Sequence, residues 1–125
     1  MADKPTFVTL SSVKALKVDW LWKPYIPFGM ITILEGDPGL GKSFLSMFLA
    51  SEISCGGQLP DGGDLDQGNV LYISAEDDPS YTTRPRIDAM GGDPEKIRVL
   101  NGRLAFNDEG LEVLREELDE FEPDL

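Results

Sequence analysis

Hydrophobic positions along the chain fall into a few runs divided by turn residues. Met30-Ile31-Thr32-Ile33-Leu34 is an apolar run of strand length. From Phe44 to Ile53, the apolar residues Phe44, Leu45, Met47, Phe48, Leu49, Ala50 and Ile53 cover most of a helix's circumference. That spread predicts a helix heavily buried against a sheet, and Gly56-Gly57 ends it. Asn69-Val70-Leu71-Tyr72-Ile73-Ser74 reads as a second strand, apolar on both faces, and Ile97-Arg98-Val99-Leu100 as a third. Leu111, Leu114, Leu118 and Phe121 lie on one stripe of an amphipathic helix over 109–121. Its other face, with Glu112, Arg115, Glu116, Asp119 and Glu120, is a solvated one, and Pro123 breaks it. Continuous apolar strands separated by helices predict a parallel sheet covered on both sides. The fold class expected is therefore α/β, a mainly parallel sheet with flanking helices.

The remaining stretches carry less pattern. Residues 1–28 read as a lead-in to a domain over 29–125. Within it, Thr6-Phe7-Val8-Thr9-Leu10 has the composition of a short edge strand. The aromatic cluster Trp20, Trp22, Tyr25 and Phe28 is expected to cover one end of the core. A contact to a nucleotide base or a neighbouring subunit is its functional alternative. Ile26-Pro27-Phe28-Gly29 has turn chemistry and should launch the strand at Met30. Residues 56–69, rich in Gly and Asp, read as a surface loop. Asp61, Asp64 and Asp66 alternate there, but no Glu closes a calcium loop. Thr83 to Met90 reads as a short helix with Pro85 in its first turn. Asp78 before Pro79 has the form of a helix cap. Arg84 and Arg86 lie near acids and are read as solvated rather than phosphate-binding.

Composition narrows the chemistry. The chain has 125 residues, 41% of them hydrophobic and 27% charged, which is ordinary for a globular domain. A net charge of −12 argues against broad, sequence-independent contact with nucleic acid, which needs clustered Lys and Arg. The chain has no histidine, so His-based general base catalysis and His-ligated metal are excluded. Its one cysteine, Cys55, forms no internal disulfide and fits a reducing cytoplasm as a small apolar filler. No apolar run approaches a membrane span, and no signal-peptide core follows Met1-Ala2-Asp3-Lys4-Pro5.

The candidate chemistry lies between the first strand and the first helix. Gly36-Asp37-Pro38-Gly39-Leu40-Gly41-Lys42-Ser43 matches G-x-x-x-x-G-K-[ST], the phosphate-binding P-loop. A strand before it and a helix after it are the context that gives the motif its meaning; a glycine-rich turn with a chance lysine is the plain alternative. The glycines let backbone N–H groups crowd round an anion, and the helix aims its positive end at the same anion. Lys42 adds a cation for the β- and γ-phosphates, and the Ser43 hydroxyl suits Mg²⁺. The nucleotide-binding set expected is Gly36, Asp37, Pro38, Gly39, Leu40, Gly41, Lys42, Ser43 and Phe44, for ATP or ADP with Mg²⁺. Ala75-Glu76-Asp77-Asp78 follows the second strand, and ligands of open α/β sheets bind outside the carboxyl ends of the strands. Glu76 thus falls on the P-loop edge of the sheet, as a second catalytic candidate beside Lys42.

Taken together, these motifs resemble a family. Trp20-Leu21-Trp22, Ile26-Pro27-x-Gly29, the P-loop, Ile73-Ser74-Ala75-Glu76-Asp77-Asp78, Arg84-Pro85-Arg86-Ile87, Gly91 and the strand at Val99 form the series. Over roughly residues 20–125 it is similar to the RecA-fold ATPases of the plasmid RepA helicase type, also grouped as an AAA domain of bacterial and phage proteins. The P-loop is specific only to the superfamily; the Ser-Ala-Glu-Asp step narrows it. The resemblance implies a RecA-like sheet, a homo-oligomer, and ATP hydrolysis linked to DNA replication or remodelling. It makes Glu76 the glutamate that polarises the attacking water. In that family a Pro-Asp-Leu like 123–125 leads into the strand with the Walker B aspartate, followed by the DNA-binding loops and an arginine finger. The expectation is therefore a RecA-like domain truncated before the Walker B strand, weak in hydrolysis and prone to self-association. Any nucleic acid would be met only through regions outside these residues. A nucleotide-dependent assembly module without turnover and a P-loop kinase are the alternatives.

Overall fold

A computed structural model describes residues 4–125, and its backbone divides into two units that meet between Ile31 and Thr32. The first unit contains one small hairpin. Strand β1 (Trp20–Trp22) pairs antiparallel with β2 (Ile26–Pro27), with Trp20 opposite Pro27 and Trp22 opposite Ile26. The Tyr25 amide donates to the Trp22 carbonyl at 2.7 Å and closes the turn. The Trp22 and Tyr25 rings meet edge to face, with centroids 4.9 Å apart. Trp20, Tyr25 and Phe28 are exposed, and Trp22 is half-buried. Ile26 and Pro27 belong to β2, and the expected turn comes after them at Phe28 and Gly29. The edge strand expected over residues 6–10 is absent: the Ser12 amide and hydroxyl both bond the Thr9 carbonyl, which closes a 3₁₀ turn at Leu10–Ser12 instead.

The second unit is built on a two-stranded parallel sheet. β3 (Val70–Tyr72) lies beside β4 (Ile97–Val99), with Val70 opposite Ile97, Leu71 opposite Arg98 and Tyr72 opposite Val99. Helix α1 (Lys42–Cys55) precedes β3. Helix α2 (Arg84–Ala89), entered through a π turn at Pro79–Thr83, lies between the strands in sequence. Helix α3 (Asp108–Phe121) follows β4. Strand–helix–strand with parallel pairing is the arrangement expected from the hydrophobic runs, and alternation along β3 sets its two faces. Val70 and Tyr72 face α1: Val70 is buried, and the Tyr72 hydroxyl reaches Ser46. Leu71 and Ile73 line the other side together with Val113 and Leu114 of α3. One face of the sheet is thus packed by α1, while an open groove lies between the other face and α3, with Ile73 exposed.

The core sits between α1, α2 and the sheet. Met47, Leu49, Ala50, Ile53, Val70 and Ile87 are its buried apolar side chains. Ser51 and Ser54 are buried with them and spend their hydroxyls at once: Ser54 Oγ donates to the Ser51 carbonyl at 2.7 Å and accepts from the Asp93 amide at 2.8 Å. Gly92, in the turn after α2, approaches α1 so closely that an added Cβ would stand 3.0 Å from Ser51 Cα and 2.8 Å from Ile87 Cγ2. Only glycine fits there, which explains one member of the Gly91-Gly92 pair.

The strand expected at 30–34 does not form. Residues 30–34 carry no strand pairing, and Met30, Ile31, Ile33 and Leu34 are exposed, Ile31 at 92%. The reason lies in the edges of β3. Its Tyr72 carbonyl turns to Leu100 of the β4 side. On its other edge the Asn69 carbonyl accepts from the Asp124 amide at 2.7 Å, and the Leu71 amide donates to the Leu125 carbonyl at 3.0 Å. With both edges of β3 bonded elsewhere, residues 30–34 join no ladder of this sheet. The three parallel strands expected from the sequence are therefore two.

Candidate nucleotide-binding site

The P-loop sits directly on the start of α1. Gly41 is the N-cap residue, with φ 90°, and Gly39 has φ 83°, both in the left-handed region that other residues enter only with strain. A Cβ built at either would meet nothing within 4 Å, so the backbone here is open to an incoming group. The cap makes no side-chain hydrogen bond. The first-turn N–H groups are thereby left to an anion, on which the helix dipole also acts. This donor set fits a nucleotide phosphate. The helix begins at Lys42 and runs to Cys55, longer at both ends than the expected 44–53.

Lys42 is half-buried, and its Nζ donates to the Gly36 carbonyl at the far end of the loop. That bond spans the motif and closes the loop on itself. Asp37, Pro38, Leu40, Ser43 and Phe44 are exposed, Phe44 at 61%. One turn into α1, Ser46 Oγ donates to the Ser43 carbonyl at 2.9 Å and lies 3.3 Å from the Tyr72 hydroxyl. The hydrogen of Ser46 is committed to Ser43, so Tyr72 is the donor to Ser46. This contact joins the first turn of α1 to β3, four residues before Glu76.

The segment after β3 is ordered by its own polar side chains. Ser74 Oγ accepts from the amides of Glu76, at 3.3 Å, and Asp77, at 3.1 Å, and donates to Asp77 Oδ2 at 3.3 Å. The Glu76 backbone is therefore fixed while its side chain is exposed. Asp78 caps the following turn as expected, with Oδ1 accepting from the amides of Ser80 and Tyr81 at 2.8 and 3.2 Å. Arg84 is occupied by Asp88, whose two oxygens both lie 2.9 Å from its Nε. Sequence reasoning missed Ser46, Tyr72 and Ser74. The Ser-x-x-Asp spacing of Ser74 and Asp77 is a turn signal that was there to be read; the Ser46–Tyr72 pair had none.

A family model described as an AAA domain matches residues 5–125. The chain belongs to this family. No solved structure matches it. Membership carries P-loop ATPase-type function and nucleotide binding, typically with Mg²⁺, to this AAA domain. Two grooves on it, of about 400 and 480 Å³, lie elsewhere: one between the sheet and α3 beside Leu71 and Leu114, the other beside Pro79 and Ile97. Neither is lined by the P-loop. Among the described residues, no helix is long and apolar enough to cross a membrane.

Proposed function

We propose that this AAA domain is a RecA-like ATPase of the RepA helicase type, acting on ATP with Mg²⁺ at residues 36–44. The observation that carries the reading is the P-loop backbone: two left-handed glycines open onto an uncapped helix start, with Lys42 folded across the loop. In this reading residues 29–125 form the ATPase domain and 1–28 lead into it. The amides of Gly39, Gly41, Lys42 and Ser43 hold phosphate oxygens. Lys42 exchanges the Gly36 carbonyl for a phosphate oxygen, which trades a neutral acceptor for a charged one. Ser43 Oγ is the protein's ligand to Mg²⁺. When bound, Mg²⁺ neutralises charge on the phosphates. Glu76, four residues beyond the carboxyl end of β3, orients the attacking water and receives its proton at the carboxylate. Hydrolysis would be linked to DNA replication or remodelling, in a cytoplasmic homo-oligomer.

Lys42→Ala removes a charge-assisted contact of about 1.5–3 kcal/mol, so ATP affinity should fall roughly 10- to 150-fold. Titration calorimetry with Mg²⁺-ATP checks this, and equal affinity for the two proteins would sink the assignment. Glu76→Gln keeps shape and loses the charge that orients water. It should bind ATP as the wild type does and release phosphate at least about 100-fold more slowly wherever turnover is measurable. Wild-type turnover in that variant would leave Glu76 as a loop acid.

A further inference from the structure

We propose that Tyr72 is a positioning residue for the metal side of the P-loop, holding Ser43 in place through Ser46. The inference rests on the reading of residues 36–44 as a nucleotide site. It starts from an oddity of composition. Tyr72 stands on the inner face of β3, in register with Val99 and two residues from the buried Val70. A phenylalanine would pack there equally well, so the hydroxyl has to be explained. Its partner is Ser46, half-buried in the first turns of a helix whose neighbouring inward positions are apolar. Serine is a poor choice inside a helix unless its hydroxyl is used.

Here it is used twice. Ser46 Oγ donates to the Ser43 carbonyl at 2.9 Å and takes the Tyr72 hydroxyl proton at 3.3 Å. The result is a chain of Tyr72 hydroxyl, Ser46 hydroxyl and Ser43 carbonyl. It ties the residue with the metal-binding hydroxyl to the last residue of β3, four residues before Glu76. The helix start has no side-chain cap to steady it, and the loop before it is exposed. Mg²⁺ tolerates little error in its oxygen ligands. A small drift of the first turn would therefore weaken metal ligation at Ser43 while leaving the amide cradle for the phosphates intact. Tyr72 fixes the spacing between metal ligand and strand end; it does not itself touch nucleotide.

The separating measurement is Mg²⁺-dependence of nucleotide binding. A fluorescent ATP analogue is titrated onto the 125-residue chain in EDTA and then at rising Mg²⁺, for wild type, Tyr72→Phe, Ser46→Ala and the double variant. Each single change should raise the Mg²⁺ midpoint about 2- to 10-fold, the range of one lost neutral hydrogen bond. Binding in EDTA should stay at the wild-type level. The double variant should shift no further than either single one, because both break the same chain. A purely structural role would lower the melting temperature and weaken binding equally with and without metal, and that result overturns the proposal. So does an unchanged midpoint in Tyr72→Phe, or shifts that add in the double variant. If Lys42→Ala weakens binding as expected while Tyr72→Phe keeps its midpoint, the nucleotide site stands and only the role of Tyr72 falls. Wild type that binds no nucleotide overturns both.

Discussion

Two helices of equal length, α1 and α3, each of 14 residues, are held to the same sheet in opposite ways. α1 buries Met47, Leu49, Ala50, Ser51, Ile53 and Ser54, and its apolar residues surround it. α3 buries only Gly110. Of its apolar stripe, Leu114 and Phe121 are half-covered, while Leu111 and Leu118 are exposed. Polar contacts do much of the attachment of α3: Arg98 to Glu117 at 2.8 Å, Arg98 4.4 Å above the Phe121 ring, and the Asn69 side chain to the Phe121 carbonyl at 2.9 Å. The helix that starts at the P-loop is thus part of the core, and the other leans on its far side. A loop proposed to hold phosphate oxygens in fixed positions would gain from standing on the element least able to move.

The comparison breaks first at Ile53. It is 1% exposed, and Ile53→Ala should cost about 2–5 kcal/mol, lost transfer energy plus an unfilled cavity. Urea unfolding followed by circular dichroism measures it, and the whole second unit should go in one transition. A loss under about 1 kcal/mol would mean that α1 is no more embedded than α3.

Asn107 tests the opposite case. Its Oδ1 accepts from the Gly110 amide at 2.8 Å and caps α3. Asn107→Ala should cost about 0.5–2 kcal/mol. Hydrogen exchange should place the loss within 108–121 and leave the amides of α1 as slow as before, since a helix held at its surface can open alone. Equal acceleration in both helices would show a single cooperative unit and erase the distinction.

What the sequence made legible follows the same divide between local and distant causes. The P-loop, the α1 run, the Gly56 stop, the Asp78 cap, the β3 and β4 runs and the stripe of α3 each depend on residues within a turn or two, and each is present in the fold. The strand at 30–34 depends on a neighbour, and β3 gives its free edge to Asp124 and Leu125 instead. Nothing within residues 30–34 encodes that competition. The aromatic cluster likewise had the composition of a core and the placement of a hairpin, because burial is decided by what packs opposite. At the candidate site, glycine and lysine spacing revealed the loop, whereas the Ser46–Tyr72 link joins residues 26 apart and leaves no periodic trace.

The smallest effect expected is at Arg98, and it sharpens the contrast by its dependence on salt. The Arg98 guanidinium is held above its ordinary pKa first by the hydrogen bond to Glu117, then by the charges of Glu117 and Glu120, with burial working the other way. An arginine stays charged throughout the working range, so this contact gives no pH switch. It gives an ionic one. The pair is partly exposed, at 44% and 29% for the two side chains, and exposed pairs are weak and screened. Arg98→Met keeps an apolar stem over the Phe121 ring and removes the charge. Its melting temperature should fall by no more than a few degrees at low salt, and the gap from wild type should close at about 1 M salt, where the screening length is about 3 Å. Ile53→Ala, whose loss is one of packing, should keep its gap at both salt levels. If the Arg98→Met gap persists in high salt, stacking on Phe121 rather than charge holds α3, and the two helices differ in how much surface they bury and not in the kind of force that binds them.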